Sequence, residues 1–287
     1  MTRPTILLTG SRGQIGHELA RLLTAHGELI ALDRGQLDLA DADALRTTFR
    51  AARPQIVVNA AAYTAVDRAE SEPELAFAVN ARAPGILAEE TKRLGGLLVH
   101  FSTDYVFDGR GCAPYVEDAP VAPLNVYGES KLAGERAIEV SGCAHLTLRT
   151  SWIYARRGQN FLLTMQRLAA EREELRVVAD QLGTPNWARA VAIAAARLVA
   201  LGRGAVAERA GLYHLSGSGQ ASWFDFARAI IGPVERPRVV PITTAQYPTP
   251  ARRPAYAVLS SAKFAATFGF ELPDWRVMLR ECLSTPA

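Results

Sequence analysis

The chain has 287 residues, of which 49% are hydrophobic, and its formal net charge is +3. This length allows one large domain or a domain with a smaller lobe, and the apolar content is enough for a sizeable core. The small net charge, with no run of more than two basic residues such as Arg252-Arg253, argues against a nucleic-acid partner.

The cysteines and the apolar runs indicate the compartment. Cys112, Cys143 and Cys282 are odd in number and widely spaced, so they predict neither a disulfide framework nor a Cys-x-x-Cys metal pair. The apolar run near the N-terminus is too short for a signal peptide, and no segment has the ~18 apolar residues of a membrane span. We therefore expect a soluble cytoplasmic protein with reduced thiols and no membrane partner.

Short apolar runs alternate with longer amphipathic segments along the first half of the chain. The predicted strands are residues 5–10, 29–33, 55–61, 96–102 and 145–151, and the predicted helices are residues 16–27, 41–52, about 73–94 and 127–140. Such alternation predicts βαβ units and a parallel sheet, and continuous apolar runs fit strands that are buried on both faces.

The pattern loosens after about residue 151, where small strands and helices are predicted and residues 233–254 are rich in proline. The expected fold is therefore α/β, a Rossmann-type doubly wound parallel sheet with a smaller C-terminal α/β substrate lobe. We place the NAD(P)-binding Rossmann domain in residues 1–150. Residues 151–287 are expected to form mainly the substrate-binding lobe, with some segments returning to the sheet.

Three glycines at GxxGxxG spacing, Gly10, Gly13 and Gly16, lie where the first predicted strand meets the first helix. Glycine permits a tight turn and a close approach of the backbone to a pyrophosphate, while the helix N-terminus offers unpaired N–H groups and a positive dipole end. A structural turn would use the same residues, but the strand–helix context favours a dinucleotide site.

The end of the second strand bears on the type of dinucleotide. An acidic residue there, here Asp33, usually accepts hydrogen bonds from the adenosine ribose, which favours NAD, although it could also only cap the strand. Arg34 follows and could accommodate a 2′-phosphate, so NADH and NADPH both remain open. Asp38 and Leu39 are expected beside the adenine.

Tyr127 and Lys131 are four residues apart on a predicted helix, and only three of the 32 basic residues are lysines. Residues at i and i+4 share a helix face, so both side chains can enter one cleft. A nearby ammonium favours phenolate and so lowers the phenol pKa from about 10, and it can also donate to the nicotinamide ribose. A solvated helix face is the alternative, and the scarcity of lysine argues against it.

Ser102 and Thr103 end the fourth predicted strand, at the edge where open α/β sheets bind ligands. A hydroxyl at this edge can hydrogen-bond a substrate carbonyl and polarise it, although such a pair can also simply close a strand. Together with Tyr127 and Lys131, Thr103 forms the expected catalytic triad.

Longer motifs make the sequence recognisable, namely "NAAAYTAVDRAESEPELAFAVN" (59–80), "STDYVFDG" (102–109), "PLNVYGESKLAGE" (123–135), "RTSWIYA" (149–155) and "YPTPARRP" (247–254). Over nearly the whole chain the sequence resembles the extended short-chain dehydrogenase/reductase superfamily and, within it, the dTDP-4-dehydrorhamnose reductases. This resemblance implies hydride transfer from NADPH or NADH to C4 of a small-molecule dTDP-sugar, dTDP-4-dehydro-β-L-rhamnose, giving dTDP-β-L-rhamnose.

The resemblance also implies roles for individual residues. Tyr127 would protonate the C4 alkoxide, Lys131 would lower the Tyr127 pKa and hold the ribose, and Thr103 would hydrogen-bond the C4 oxygen. Asp104 and Trp152 would contact the sugar, although Trp152 could also be a core aromatic. The other implied residues are Gly13, Gln14 and Ile15 at the pyrophosphate, Ala62, Tyr63 and Thr64 beside the cofactor, Val66 and Asp67 at the substrate edge, and Arg252 and Arg253 at the diphosphate or bracing their loop.

One position departs from the family pattern. Some members of this family dimerise through Mg²⁺ held by glutamates from both subunits, and Glu18 matches one of these glutamates. At the helix position of another such glutamate the sequence has Arg189, and a cation there opposes Mg²⁺ binding. We therefore expect no metal, and a monomer or weak dimer.

Two other kinds of function compete with reduction. A sugar-nucleotide epimerase would run redox-neutral on bound NAD, and a 4,6-dehydratase would have a second acidic residue where Tyr105 follows Asp104. A non-catalytic regulator, like the β subunit of methionine adenosyltransferase, would not need Thr103, Tyr127 and Lys131. The intact triad favours the reductase.

Overall fold

The computed structural model describes residues 3–233 and 235–285. Its strands are β1 (Thr5–Thr9), β2 (Glu28–Leu32), β3 (Ile56–Asn59), β4 (Leu97–Thr103), β5 (His145–Thr150), β6 (Ile153–Tyr154), β7 (Glu174–Val178), β8 (Leu182–Gly183), β9 (Asn186–Trp187), β10 (Gly211–His214), β11 (Ala221–Ser222) and β12 (Arg238–Ile242). Its α-helices are α1 (Gln14–Leu22), α2 (Ala42–Ala52), α3 (Val66–Ala69), α4 (Pro73–Phe77), α5 (Ala83–Arg93), α6 (Val126–Ser141), α7 (Phe161–Glu171), α8 (Ala188–Ala200), α9 (Arg203–Ala207), α10 (Trp223–Ile231), α11 (Ala262–Phe268) and α12 (Trp275–Ser284).

The central sheet has six parallel strands in the order β10-β5-β4-β3-β1-β2. Successive residues of one strand enter different cores: Ile6 and Leu8 pack into one apolar cluster, and Leu7 between them packs into another. Helices α1 and α8 contribute to the first cluster, while α2, α5 and α6 contribute to the second. Burial on both faces explains the continuous apolar runs and confirms the expected doubly wound α/β fold.

The segment expected to be one helix at about 73–94 is interrupted. Helix α4 passes into a π-helical turn, Ala78–Arg82, before α5 begins. Within this turn Asn80 is buried, and its side chain accepts from the Tyr63 N–H at 2.8 Å and donates to the Ser130 hydroxyl at 3.0 Å. The turn therefore fixes the loop after β3 against α6.

Helix α6 lies unusually close to its neighbours. A Cβ at Gly128 would come within 2.2 Å of the Tyr105 carbonyl oxygen, and one at Gly134 within 2.1 Å of the Asn80 carbonyl oxygen. The helix begins after Asn125, whose side-chain oxygen accepts from the Gly128 N–H, and Lys92 donates to the Ser141 carbonyl at its other end. The position of α6 relative to β4 is thus set at both ends and along its length.

The second half of the chain adds to both parts of the molecule. Strand β10 pairs with β5 at the edge of the main sheet, and Lys263 donates to the Leu212 carbonyl within it. Three two-stranded sheets, β6 with β9, β7 with β12 and β8 with β11, lie outside the main sheet. Segments after residue 150 thus return to the sheet, while the division into two domains stays a prediction. Among the described residues, every helix is too short or too polar to cross a bilayer.

Gly134→Ala tests the close packing of α6. We expect this variant to lose about 1–3 kcal/mol of unfolding free energy, because the new methyl group meets backbone and the helix must move. Urea unfolding measures the loss. Gly204→Ala is the matched control, since a Cβ there meets nothing within 4 Å. Equal stability of the two variants would contradict the role of Gly134.

Candidate active site

A cleft of about 690 Å³ opens at the carboxyl ends of β1, β3, β4 and β5. Of the expected site residues, those that line it are Gly10, Gly13, Gln14, Ile15, Asp33, Asp38, Leu39, Ala62, Tyr63, Thr64, Thr103, Asp104, Tyr127, Lys131 and Trp152. The fold thus brings together residues that are up to 142 positions apart. Of the expected residues, Gly16, Asp67, Arg252 and Arg253 lie outside the lining.

The glycines of the first loop serve two purposes. Gly10 has a φ of +73°, and a Cβ there would come within 2.7 Å of the Ala61 nitrogen. A Cβ at Gly16 would come within 2.0 Å of the Gly10 carbonyl oxygen, so this position needs glycine for close packing of α1 on the loop. Gly16, which we expected at the cofactor, lies outside the cleft lining, and a contact with the cofactor stays a prediction.

The N-terminus of α1 faces the cleft through Gln14 and Ile15. N–H groups in the first turn of a helix have no intrahelical acceptor, and here no side chain caps them. Unpaired N–H groups at the positive end of a helix dipole fit a pyrophosphate. The side chain of Gln14 accepts from Asn160, which caps α7, so the loop before α7 is tied to this end of the cleft.

Asp33, after β2, is already engaged by protein groups. One carboxylate oxygen accepts from the N–H groups of Gly35 and Gln36, and the other lies 2.7 Å from the Arg12 guanidinium. Arg12 and Arg34 both line the cleft. This edge therefore offers a carboxylate for ribose hydroxyls and two cations for a phosphate.

Tyr127 and Lys131 project from α6 into the same cleft and are 9% and 1% exposed. Lys131 Nζ donates to the Phe101 carbonyl oxygen at 2.7 Å and lies 3.2 Å from His100 Nε2. Burial lowers the pKa of Lys131 to about 8, against the opposing effect of Glu135. The ammonium is thus less favoured than at an exposed lysine.

Burial also governs Tyr127. It raises the pKa of the phenol well above its usual range, and a hydrogen-bonding contact with Thr103 offsets only part of this rise. The sequence led us to expect a lowered phenol pKa, and the protein's own groups produce the opposite. The reason is that desolvation of the phenolate dominates, and the nearby Asp104 and Tyr105 raise the pKa further.

Thr103 and Asp104 follow each other at the end of β4. The Thr103 hydroxyl donates to one Asp104 carboxylate oxygen at 3.0 Å and accepts from the Tyr105 N–H at 3.2 Å. The other Asp104 oxygen is buried without a hydrogen-bond partner in the described structure. Burial raises the pKa of Asp104 to about 7, so the carboxyl group can be a donor or an acceptor near neutral pH.

Trp152 forms part of the cleft wall with a residue that the sequence analysis missed. Its ring stacks on Trp223 with 3.5 Å between centroids and 6° between planes. A Cβ at Gly183 would come within 2.5 Å of the Trp152 ring, and Trp152 itself has a φ of +45°. The only sequence signal for Trp223 is its position directly after Ser222, a helix-capping residue.

Contacts bear on whether Arg252 and Arg253 meet the diphosphate or brace their loop. Arg253 pairs with Asp67 at 2.8 Å, and Asp67 also accepts from the Ala251 N–H, so both brace the loop of residues 247–254. Arg252 is exposed, and its carbonyl accepts from Asn125. Val66 lines the cleft, as its assignment to the substrate edge requires.

Glu18 and Arg189 meet within one chain. The Arg189 guanidinium lies 3.0 Å from the Glu18 carboxylate, which is therefore neutralised by a cation. Across residues 3–233 and 235–285, no group of three or more His, Cys, Asp or Glu side chains is placed to hold a metal ion. These side chains do not fit a shared Mg²⁺ site, and the absence of a metal stays a prediction.

Comparison with known proteins agrees with this geometry. The family model described as RmlD substrate binding domain matches residues 4–287. The dTDP-4-dehydrorhamnose reductase of Burkholderia thailandensis is 50% identical, with 97% of each chain covered, and that of Escherichia coli K12 is 45% identical, with 98% of this chain and 99% of its own covered.

A solved structure of dTDP-4-dehydrorhamnose reductase from Bacillus anthracis in complex with NADP is similar at a TM-score of 0.92 and 33% identity, and 99% of each chain is covered. The similarity extends over nearly the whole chain, in both sequence and fold, and the cleft contains the expected residues. The protein therefore belongs to the dTDP-4-dehydrorhamnose reductase family.

Proposed function

We propose that the protein reduces the C4 ketone of dTDP-4-dehydro-β-L-rhamnose with NADPH or NADH and so produces dTDP-β-L-rhamnose, the last step of dTDP-L-rhamnose synthesis. The observation that carries this proposal is the placement of Thr103, Tyr127 and Lys131 around one cleft that also contains an uncapped helix N-terminus. Family membership supports the same substrate and the same direction of reaction.

The residues around the cleft fit a dinucleotide. NAD(P)H supplies a hydride when it is bound. The first turn of α1 would hold the pyrophosphate through N–H groups, Asp33 and the two arginines beside it would hold the adenosine ribose, and Lys131 would hold the other ribose. Ala62, Tyr63 and Thr64 would form the wall beside the cofactor.

Tyr127 is the proposed proton donor to the C4 oxygen. Because burial raises its pKa, the phenol keeps its proton at neutral pH, which is the form that reduction of a ketone consumes. The Thr103 hydroxyl would hydrogen-bond the same oxygen and stabilise the developing alkoxide. Lys131 would stabilise the phenolate that remains after proton transfer.

Asp104 and Trp152 are the proposed contacts to the sugar. The free carboxyl oxygen of Asp104 needs a hydrogen-bond partner, and a sugar hydroxyl at the carboxyl end of β4 would supply one. The indole of Trp152, held by Trp223, offers an apolar wall for the ring.

We also propose a cytoplasmic location and a monomer or weak dimer. The described cysteines, Cys112, Cys143 and Cys282, are free thiols, which fits a reducing compartment. The intramolecular pairing of Glu18 with Arg189 removes one route to a metal-bridged dimer.

Tyr127→Phe removes only the phenol hydroxyl. We expect kcat to fall about 10²- to 10⁴-fold, the usual contribution of a general acid, with NADPH binding nearly unchanged. The assay follows NADPH absorbance with enzymatically made 4-keto sugar nucleotide, and net consumption of NADPH also separates a reductase from an epimerase. Tyr213→Phe, at a buried tyrosine outside the cleft lining, is the control. Wild-type turnover by Tyr127→Phe would refute the proton-donor assignment.

Arg34→Ala tests the contact with the cofactor's 2′-phosphate. We expect kcat/KM for NADPH to fall about tenfold, which corresponds to one charge-assisted hydrogen bond, while kcat/KM for NADH stays within about twofold. Steady-state kinetics of Arg34→Ala with each cofactor gives the two values of kcat/KM, which are then compared with those of the wild type. Equal losses for NADPH and NADH would show that Arg34 does not read the phosphate.

Asp104→Asn tests the cost of the buried carboxyl group. Its pKa rises from 3.8 to about 7 on folding, so above pH 3.8 the unfolded chain binds fewer protons and stability falls as pH rises toward 7. The drop in unfolding free energy between pH 5 and pH 8 should be smaller in the variant by about 2.5 kcal/mol. Urea unfolding at both pH values measures it, with exposed Asp118→Asn as control. If the unfolding free energy of Asp104→Asn fell as much between pH 5 and pH 8 as that of the wild type, a group other than Asp104 would be responsible for the fall.

A further inference from the structure

A line of buried polar side chains crosses the sheet behind Lys131. Thr9 on β1, Asn59 on β3 and His100 on β4 are at most 1% exposed, and they occupy paired positions in the parallel register. The Thr9 hydroxyl donates to Asn59 Oδ1 at 2.7 Å, Asn59 Nδ2 lies 3.0 Å from His100 Nδ1, and His100 Nε2 lies 3.2 Å from Lys131 Nζ. The proposed reaction does not by itself require this line.

The direction of each hydrogen bond in the line follows from its one fixed donor. The Ala61 N–H can only donate, and it donates to Asn59 Oδ1 at 3.2 Å, so the amide nitrogen of Asn59 must face His100. His100 Nδ1 therefore accepts a hydrogen bond and carries no proton. A neutral imidazole has one N–H, which is then on Nε2 and points at Lys131 Nζ.

The direction of these hydrogen bonds bears on whether Lys131 is an ammonium or an amine. An ammonium has three N–H groups and no lone pair, so it cannot accept from His100 Nε2–H, whereas an amine can. The amine also keeps a hydrogen for the Phe101 carbonyl oxygen at 2.7 Å. We propose that His100 is a positioning residue that favours the uncharged amine of Lys131 in the free enzyme, so that at alkaline pH NADPH binding is coupled to uptake of about one proton by Lys131.

The surrounding charges agree with this proposal. Burial lowers the pKa of Lys131 to about 8 and lowers that of His100 well below its usual range, so it shifts both groups toward their neutral forms, His100 at neutral pH and Lys131 at alkaline pH. On α6, Glu135 favours the ammonium, but its carboxylate is bound by the Arg149 guanidinium at 2.7 and 2.9 Å and by the Ser102 hydroxyl. The other titratable groups around the pair are Tyr127 on α6, Asp104 and Tyr105 after β4, and His145 on β5.

Cofactor binding changes this balance, provided that the protein is the NAD(P)H-dependent enzyme proposed above. NADPH brings negative phosphates and ribose hydroxyls that accept from an ammonium, and both favour the charged form of Lys131. To make room for the third N–H, His100 must move its proton to Nδ1 and Asn59 must turn its amide, which breaks the bond to Ala61. Ala61 lines the cleft, so the line of side chains ends at the cofactor wall.

The test is calorimetric titration of wild-type enzyme with NADPH, without sugar, in buffers of different ionisation enthalpy. The 2′-phosphate is almost fully ionised at pH 9, since its second pKa is about 6, so at that pH it contributes no proton. We expect uptake of about 0.9 proton at pH 9 and about 0.1 at pH 7, with binding about tenfold weaker at pH 9. Wild-type binding without proton uptake at pH 9 would overturn the proposal.

Two variants assign the proton. His100→Gln presents a carbonyl that accepts from an ammonium, and Asn59→Asp accepts from His100 Nδ1–H and leaves Nε2 as an acceptor for Lys131. Both should hold Lys131 charged beforehand, so we expect proton uptake at pH 9 to fall below about 0.3 and the change in Kd between pH 7 and pH 9 to shrink below about twofold. His145→Gln, one strand away, is the control and should behave as wild type.

The outcomes separate this proposal from the proposed reaction. Wild-type uptake that persists in His100→Gln would assign the proton to another group, such as Asp104, and overturn the role of His100. Because the titration contains no sugar, proton uptake that persists in His100→Gln does not bear on the reductase assignment. Failure to consume NADPH with the 4-keto sugar nucleotide would refute the reductase assignment, and it would leave the measured proton uptake unchanged. Far-UV circular dichroism verifies that each variant is folded. The wild-type titration tests the proposal even if a variant fails to fold.

Discussion

Burial of the Lys131 amine between β4 and α6 is the constraint on which the rest of the site depends. A side-chain nitrogen with 1% exposure is costly to bury unless its polar groups find partners. Here the partners are the Phe101 carbonyl oxygen and the ring of His100. This requires α6 to lie against β4 at close range. The glycines at 128 and 134 and the π-helical turn around Asn80 make that approach possible.

The same burial explains why the proposed donor keeps its proton. Tyr127 is buried in the same cleft as Lys131, and desolvation of its phenolate, with the nearby Asp104 and Tyr105, raises the pKa of the phenol. A reductase needs a phenol that is protonated at the start of the reaction and stabilised as phenolate at the end. A lysine that gains charge with the cofactor would supply the second condition only when it is needed.

Much of the fold could be predicted from the sequence because its signals are local. Five strands of the main sheet appear as apolar runs, and the fold class follows from their alternation with helices. The interruption at Ala78–Arg82 could not be predicted, because it depends on contacts of Asn80 with Tyr63 and Ser130, 17 and 50 residues away. Strand β10 could not be assigned to the sheet for the same reason.

Some site residues could likewise be predicted from local sequence signals, and others could not. Motifs with fixed spacing indicated the glycine loop, Thr103, Tyr127 and Lys131, which the structure places in one cleft. Spacing could not show that Gly16 serves packing, nor that Trp223 joins Trp152. His100 is visible in the sequence only as one polar residue inside an apolar strand, and its partner Asn59 is equally inconspicuous.

The shortage of lysine has a practical consequence for handling the protein. Lys92 and Lys263 are exposed, whereas Lys131 is only 1% exposed. Reagents that acylate amines, such as dye esters or activated sensor surfaces, would therefore react preferentially with these two lysines. Neither of them lines the cleft, so we expect immobilised protein to remain open to its ligands.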